Sequence, residues 1–203
     1  YALDFSPLQT FHTLRWYTLW SLGAPETLIN YMPGIFQVLP RYFSDFPQLG
    51  QASLWLVSIL LMLTVGLVAN FLWRIWRGYL GLKYGWLFIL GGTWFVVTLL
   101  PVLFFPQHRF TLELGLPMVG IALMLATLLR QVPRTLRVSF TVLFLLLQLT
   151  SVVMTQRTHY SVLRSDISLR VHQYFTRNYP VWPNQTYVVF VNDSPDYGAA
   201  WGS

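Results

Sequence analysis

Four apolar stretches of near membrane-spanning length constrain the fold of this chain more than any other feature. They cover residues 52–73, 85–105, 110–129 and 138–154. A hydrocarbon core of ~30 Å requires about 20 apolar helical residues, because each residue of an α-helix rises ~1.5 Å. We therefore predict an all-α polytopic membrane protein with about four transmembrane helices in residues 52–155.

The composition supports this class. Hydrophobic residues make up 55% of the 203 residues and charged residues only 10%, which is unlike a soluble globular domain. There is no cysteine, so disulfides and thiolate metal sites are excluded. The formal charge of +6 comes largely from basic clusters in residues 74–83 and 130–137, where membrane topology accounts for them. We expect membrane lipid and no nucleic acid as a partner.

The basic residues also predict an orientation. The short connections between the apolar stretches hold three, one and three basic residues in order. By the positive-inside rule, residues 74–84 and 130–137 face the cytoplasm and the turn at 106–109 faces outside. Segments 1–51 and 156–203 are then extracytoplasmic. We predict a multi-pass protein of the plasma (inner) membrane.

The first 51 residues are aromatic and rich in proline, and none of their segments is long enough to span a bilayer without charge or proline. A short helix is predicted from Phe11 to Leu22, with aromatic rings suited to the headgroup level. A second is predicted from Thr27 to Leu39, broken or kinked at Pro33. We interpret residues 1–51 as interfacial helices or a re-entrant segment.

The tail, residues 156–203, has a different pattern. Apolar residues at helical spacing predict an amphipathic helix over Ser161–Phe175, which Tyr179-Pro180 ends. A strand is predicted at Tyr187–Val191, followed by a turn at 192–196. This order is typical of the start of a small extracytoplasmic α/β domain. Three arginines of the tail lie close to the fourth apolar stretch, and by the positive-inside rule they weigh against an extracytoplasmic placement of the tail. Since the first residue is not methionine and the domain is incomplete, we expect a fragment of a longer polypeptide.

His108, Arg109 and Glu113 form the most specific group of candidate site residues. Arg109 and Glu113 are four residues apart, a spacing that pairs side chains on one helix face. His108 and Arg109 would lie at a helix N-terminus in the outer headgroup layer, a favourable place for phosphate. We predict that they recognise a lipid-linked phosphate, with Glu113 orienting Arg109. The alternative is an arginine on ordinary headgroups and a glutamate that snorkels to water.

The other ionisable residues give weaker signals. Three acids on the presumed external face, Asp4, Glu26 and Asp45, could act as a base or bind a metal. Isolated loop acids are more often solvated or turn-forming. The remaining histidines, His12, His159 and His172, have no metal-ligand spacing. We therefore predict no metal site in this chain.

Small residues interrupt the second and third apolar stretches, namely Gly91, Gly92, Gly115 and Gly120, together with Pro117. Glycine in a membrane helix allows a neighbouring helix to approach closely, and we favour this packing role. The alternative is a polar cavity that uses carbonyl groups freed by the proline.

The stretch Pro106-Gln-His-Arg-Phe-Thr-Leu-Glu-Leu-Gly-Leu-Pro-Met-Val-Gly120 resembles a segment of GT-C-type membrane glycosyltransferases. In that family an arginine followed by an aromatic residue opens a late span containing proline and glycine, and the protein O-mannosyltransferase-like branch is the most similar. Phe11–Glu26 resembles an external segment of bacterial members. The predicted strand and Asn-Asp-Ser-Pro-Asp turn resemble the small extracytoplasmic domain that follows the last span in some of them.

The resemblance implies the C-terminal part of a hexosyltransferase that takes a sugar from a polyprenyl-phosphate donor. Arg109 and His108 would then contact the donor phosphate and stabilise the charge on the leaving group. In such enzymes the catalytic base is an acid in the first external loop, sometimes with a divalent metal ion. That loop would precede this chain, so neither the base nor a cofactor is expected here. The acceptor stays open.

Two other functions fit the same residues. A transporter or flippase for a lipid-linked or anionic substrate would also explain Glu113 and the glycines, and it predicts inverted repeats in the rest of the protein. A non-catalytic membrane scaffold would use the tail to bind a partner. For the scaffold, substitution of Arg109 or Glu113 would affect stability alone.

Overall fold

The computed structural model describes residues 3–34, 37–105, 109–158, 160–179 and 181, and all regular structure within them is helical. In chain order the helices are α1 (Pro7–Ser21), a first 3-10 helix (Glu26–Tyr31), α2 (Arg41–Asp45), α3 (Leu49–Trp76), α4 (Leu82–Leu103), a second 3-10 helix (Thr111–Leu114), α5 (Pro117–Leu129), α6 (Arg134–Thr158) and α7 (Tyr160–Asn178). The chain divides into two compact units, Tyr1–Thr155 and Gln156–Ser203. The strand predicted at 187–191, and with it the α/β domain, lies outside the described residues.

Among the described residues, three helices are long and apolar enough to cross a membrane: α3, α4 and α6. Much of their apolar surface is open. Trp55, Met62 and Trp86, for example, are 68%, 76% and 68% exposed. Such side chains would be costly in water and are stable against lipid chains. This supports the predicted class, a helical membrane protein, and three of the four predicted spans.

The third predicted span, residues 110–129, is not one continuous helix. The second 3-10 helix covers Thr111–Leu114, and α5 begins only at Pro117 and has 13 residues. At ~1.5 Å per residue, α5 is about 20 Å long and shorter than a hydrocarbon core. Pro117 explains the break, because its ring would clash with the carbonyl of Glu113 in a continuous helix and it has no N–H to donate.

Helix α1 matches the helix predicted over Phe11–Leu22 and starts earlier than expected, while its place at the membrane interface stays a prediction. The Ser6 side chain caps it by accepting a hydrogen bond from the Gln9 backbone N–H (3.3 Å), and Pro7 occupies the first helical position. Gly23 follows its end with φ of +95°, a left-handed conformation that favours glycine. A Cβ at Gly23 would lie 2.9 Å from Nε2 of Gln148 in α6, so α1 ends against α6.

The second predicted interfacial helix, Thr27–Leu39, is wrong in type and length. The chain forms a 3-10 helix that ends at Tyr31. Met32 is then extended (φ −122°, ψ 79°), because a residue before proline is pushed out of the helical region by Pro33. The backbone N–H of Leu39 donates to the carbonyl of Tyr31 (2.9 Å) and closes the loop.

The core of the first unit has two parts. In one, the buried rings of Trp16, Tyr17 and Trp20 from α1 belong to the same cluster as Phe95 and Leu99 of α4. In the other, buried side chains of α3, α5 and α6 pack together: Leu60, Leu67, Phe71, Leu128, Phe140 and Leu147. Helix α1 is therefore anchored in the helical bundle.

Helices α4 and α5 cross at Gly91 and Gly120. A Cβ on Gly91 would lie 2.7 Å from the backbone oxygen of Gly120, and a Cβ on Gly120 would meet the backbone of Gly91 and Phe95. Real side chains do not approach a backbone oxygen so closely. The packing role predicted for these two glycines is confirmed.

Long-range hydrogen bonds bring together the segments that were predicted to share a side of the membrane. Arg74 Nη1 donates to the carbonyl of Gln131 (2.8 Å), which joins the two basic connections. At the other end, the backbone N–H of Asp4 donates to the carbonyl of Phe104 (2.9 Å). Which end faces the cytoplasm, and in which membrane, stays a prediction.

Helix α7, in the second unit, covers the amphipathic helix predicted at Ser161–Phe175 and extends to Asn178. The backbone N–H of Tyr179 donates to the carbonyl of Phe175 (2.8 Å). The helix ends at Asn178, just before Tyr179-Pro180, as expected from the effect of proline on the preceding residue.

Candidate anion-binding site

The residues after α4 return to α1 and are held there by Glu26. Arg109 and Phe110 precede the second 3-10 helix, and Phe110 is extended (φ −136°, ψ 146°). The carboxylate of Glu26 accepts hydrogen bonds from the Thr111 hydroxyl and from the Thr111 backbone N–H (3.4 Å). Leu114, three residues further on, is buried in the aromatic core. These contacts fix the chain two residues from Arg109.

Arg109 then lies close enough to Arg15 of α1 for their charges to repel. Both side chains are half-buried. Burial lowers the pKa of the Arg15 guanidinium, and the positive charge of Arg109 lowers it further. Burial likewise lowers the pKa of Arg109. Because an arginine pKa starts above 12, both groups remain cations at neutral pH.

The contacts of Arg15 all involve uncharged groups. Its Nη1 donates to the carbonyl of Gly34 (3.2 Å), and its guanidinium lies 5.0 Å from the centroid of the Trp16 ring. Its Nε is buried without a hydrogen-bond partner in the part of the chain that the structure describes. Within that part, no carboxylate forms an ion pair with Arg15 or Arg109.

Tyr17 of α1 is fully buried and lies close enough to Arg109 to interact with its charge. Burial raises the pKa of its phenol to about 12, against the opposing effect of the Phe110 backbone N–H. The charges of Glu113, Arg109 and Glu26 also act on it. The phenol is therefore neutral at physiological pH, and it marks the point at which α1 and residues 109–113 meet.

Two of the three predicted site residues, Arg109 and Glu113, lie in the part of the chain that the structure describes. Arg109 lies in the site. Glu113 is half-buried in the second 3-10 helix and acts electrostatically on Tyr17. Because Arg109 precedes that 3-10 helix and Phe110 between them is extended, the four-residue spacing does not place the two on one α-helical face, and this expectation was wrong. His108 lies outside the described residues.

The weaker candidates have structural roles. Glu26 holds Thr111. Asp4 accepts a hydrogen bond from the Ser6 backbone N–H (2.8 Å). Asp45 accepts one from the Tyr31 hydroxyl (2.7 Å) and pairs with Arg41 (3.3 Å). In the described ranges, no group of three or more acids or histidines is arranged to hold a metal ion.

Sequence reasoning missed Arg15 and Tyr17 as site residues. They lie in the first interfacial helix, far along the chain from Arg109, and no local motif links the two segments. The only signal was an arginine next to a tryptophan, which is also typical of an ordinary headgroup anchor. The pair is formed by tertiary packing of α1 against residues 109–114.

The arrangement can bind an anion with several oxygens. Two half-buried guanidiniums present fixed N–H donors that match the oxygens of a phosphate, and partial burial strengthens the attraction. Comparisons with protein-family models, curated proteins and solved structures gave no match to this chain. Its function is therefore argued from the site.

Proposed function

We propose that Arg15 and Arg109 bind the phosphate of a membrane lipid, and that the chain is part of a membrane glycosyltransferase that uses a polyprenyl-phosphate sugar donor on the extracytoplasmic face. One observation carries the proposal. Two half-buried arginines repel each other, and neither has a carboxylate partner among the described residues. A phosphate between them would remove this repulsion and supply the missing hydrogen-bond acceptors.

The surroundings favour a lipid phosphate over a free one. The site lies beyond the end of α4 and beside α1, whose ring-rich core is typical of the membrane interface. A phosphate bound at the membrane interface can belong to a lipid whose hydrocarbon chain enters the bilayer next to α3 or α4. The open apolar surface of those helices suits a polyprenyl chain.

Glycosyl transfer gives the arginines a chemical role. When the bond between the anomeric carbon and the phosphate oxygen breaks, its electron pair remains on that oxygen, and the leaving polyprenyl phosphate gains negative charge. Two fixed guanidiniums would stabilise this charge as it develops. The acceptor's proton must go to a base, and the resemblance places that base outside this chain. Glu26 acts here as a positioning residue, through Thr111.

Lipid-binding measurements test the site. We expect Arg109→Ala and Arg15→Gln each to weaken the binding of polyprenyl phosphate to the chain in nanodiscs by about 1.5–3 kcal/mol, the value of a hydrogen bond to a charged group. Arg41→Gln is the matched control, because that side chain belongs to the same segment and is 80% exposed. Unchanged affinity in both site variants, with normal expression, would refute the assignment.

Activity measurements distinguish the enzyme from its alternatives. The same variants should slow transfer of a labelled sugar from a polyprenyl-phosphate donor by the natural protein. Movement of the lipid across the bilayer without sugar transfer would identify a flippase instead. Reduced thermal stability with unchanged lipid binding would identify a scaffold.

A further inference from the structure

Helix α7 has an apolar row along one side. Ile167, Val171 and Phe175 follow each other at intervals of four and are half-buried, and Tyr174 adjoins them. The other sides are mainly polar, with Ser165, Ser168 and Thr176 exposed, although Leu169 lies among them and is 52% exposed. This separation is the pattern of a helix that places one side against an apolar medium and the other in water.

Arginines flank the apolar row on one edge. Arg170 and Arg177 are seven residues apart, so they lie nearly one above the other along the helix. With Gln173, Tyr174 and Asn178 they line an open cleft of about 430 Å³. Asp166 pairs with Arg170 (3.1 Å), but both side chains are largely exposed, so the pair is weak and leaves the edge basic.

We propose that α7 binds the surface of a membrane that contains anionic lipids. Its apolar row would enter the boundary between headgroups and acyl chains, while Arg170 and Arg177 contact headgroup phosphates. The chain's own connectivity favours this partner. Helix α7 begins at Tyr160, two residues after the end of α6, which is a membrane-spanning candidate.

The combination of features selects a lipid surface over a soluble partner. A polyanion in water would use the arginines but leave the apolar row exposed. At a bilayer interface the acyl chains can cover the apolar row of α7 while anionic headgroups bind the arginines beside it. This inference does not depend on Arg15 or Arg109, so either proposal can fail while the other stands.

Spin labels on the whole chain test the proposal, and the absence of cysteine makes single labelling sites simple to introduce. We compare Ile167→Cys, on the apolar row, with Ser165→Cys, on an exposed side. Each nitroxide-labelled chain is reconstituted in vesicles of phosphatidylcholine with or without phosphatidylglycerol. Accessibility is measured to oxygen, which concentrates in the bilayer, and to a nickel chelate, which stays in water.

In vesicles with phosphatidylglycerol, the label at 167 should be accessible to oxygen and protected from nickel, and the label at 165 should show the reverse. Equal access of nickel to both positions would overturn the proposal, because the apolar row would then face water. Protection of position 167 from both reagents would also overturn it, because the row would be covered by protein.

A second variant tests the arginines. Arg170→Gln together with Arg177→Gln should reduce the oxygen-to-nickel contrast at position 167 several-fold in vesicles with phosphatidylglycerol. In phosphatidylcholine alone, the substitution should have little effect. Arg41→Gln, in the first unit, is the matched control and should change neither value. An unchanged contrast in the double variant would contradict the assignment of an anionic surface.

Discussion

The carboxylate of Glu26 accepts hydrogen bonds from both the hydroxyl and the backbone N–H of Thr111, which lies 85 positions further along the chain. This contact joins the interfacial segment to the residues that follow α4. It keeps Arg109 beside Arg15 and so supports the proposed phosphate site. We therefore expect its removal to weaken binding of the lipid phosphate.

Glu26→Ala should weaken polyprenyl-phosphate binding several-fold, because residues 109–111 lose the acceptor that holds them against α1. Glu26→Gln keeps one carbonyl oxygen as an acceptor and should restore most of the affinity. Titration of the lipid into nanodisc samples of both variants measures this. Equal affinity of Glu26→Ala and the wild type would show that Glu26 does not position the site.

The buried phenol of Tyr17 should make the folded protein less stable at alkaline pH. Burial raises the pKa of its phenol from 10.0 to about 12, so the folded state holds a proton that the unfolded state releases between these values. The contribution of Tyr17 to stability is therefore fully present below pH 10 and is lost as pH rises towards 12, by up to about 2–3 kcal/mol.

The matched variant is Tyr17→Phe, which removes the titrating group and leaves the ring in place. Its thermal unfolding should be less sensitive to pH between 10 and 12 than that of the wild type. Identical pH dependence of the two proteins would contradict the buried, neutral state assigned to this phenol.

The crossing of α4 and α5 should not tolerate a methyl group. Gly120→Ala places a Cβ against the backbone of Gly91, which cannot move aside as a flexible side chain can, and we expect destabilisation of about 1–3 kcal/mol. Gly66→Ala in α3 is the control, because its Cβ would meet no atom within 4 Å. Thermal unfolding in detergent measures both. A stable Gly120→Ala protein would show that the two helices can separate without cost.

Much of the helical architecture follows from the sequence because the bilayer imposes a length on apolar helices, and α3, α4 and α6 were predicted on that basis. The break before α5 depends on Pro117, which was expected to free carbonyl groups within a continuous span but not to end the helix. A break at Pro33 was one of the two predicted alternatives, and the helix ends before it at Tyr31, but the 3-10 geometry of residues 26–31 was not predicted.

The site was predictable only in part. Arg109 is conspicuous because it borders an apolar stretch, and that border was visible in the sequence. Arg15 joins it through the packing of Tyr17 and Trp16 into a core shared with α4, and no local pattern encodes such a contact. Glu26 was noted as an isolated acid, and its partner Thr111 became evident only from the fold.

The orientation also has a direct test. A protease added outside sealed cells should cut within residues 156–203 and leave the connections at 74–84 and 130–137 intact, because the positive-inside rule places those connections in the cytoplasm. The same protease added to permeabilised cells is the control for access. Protection of the tail in sealed cells would invert the predicted topology.

We propose that the chain recognises the phosphate group of a lipid through Arg15 and Arg109. The ratio of affinities for polyprenyl phosphate and for polyprenol of the same length, measured in the wild type and in Arg15→Gln/Arg109→Gln, tests this proposal. We expect a strong preference for the phosphate in the wild type and the loss of most of this preference in the double variant. A wild type that binds both lipids equally, or a double variant that keeps the preference, would contradict it.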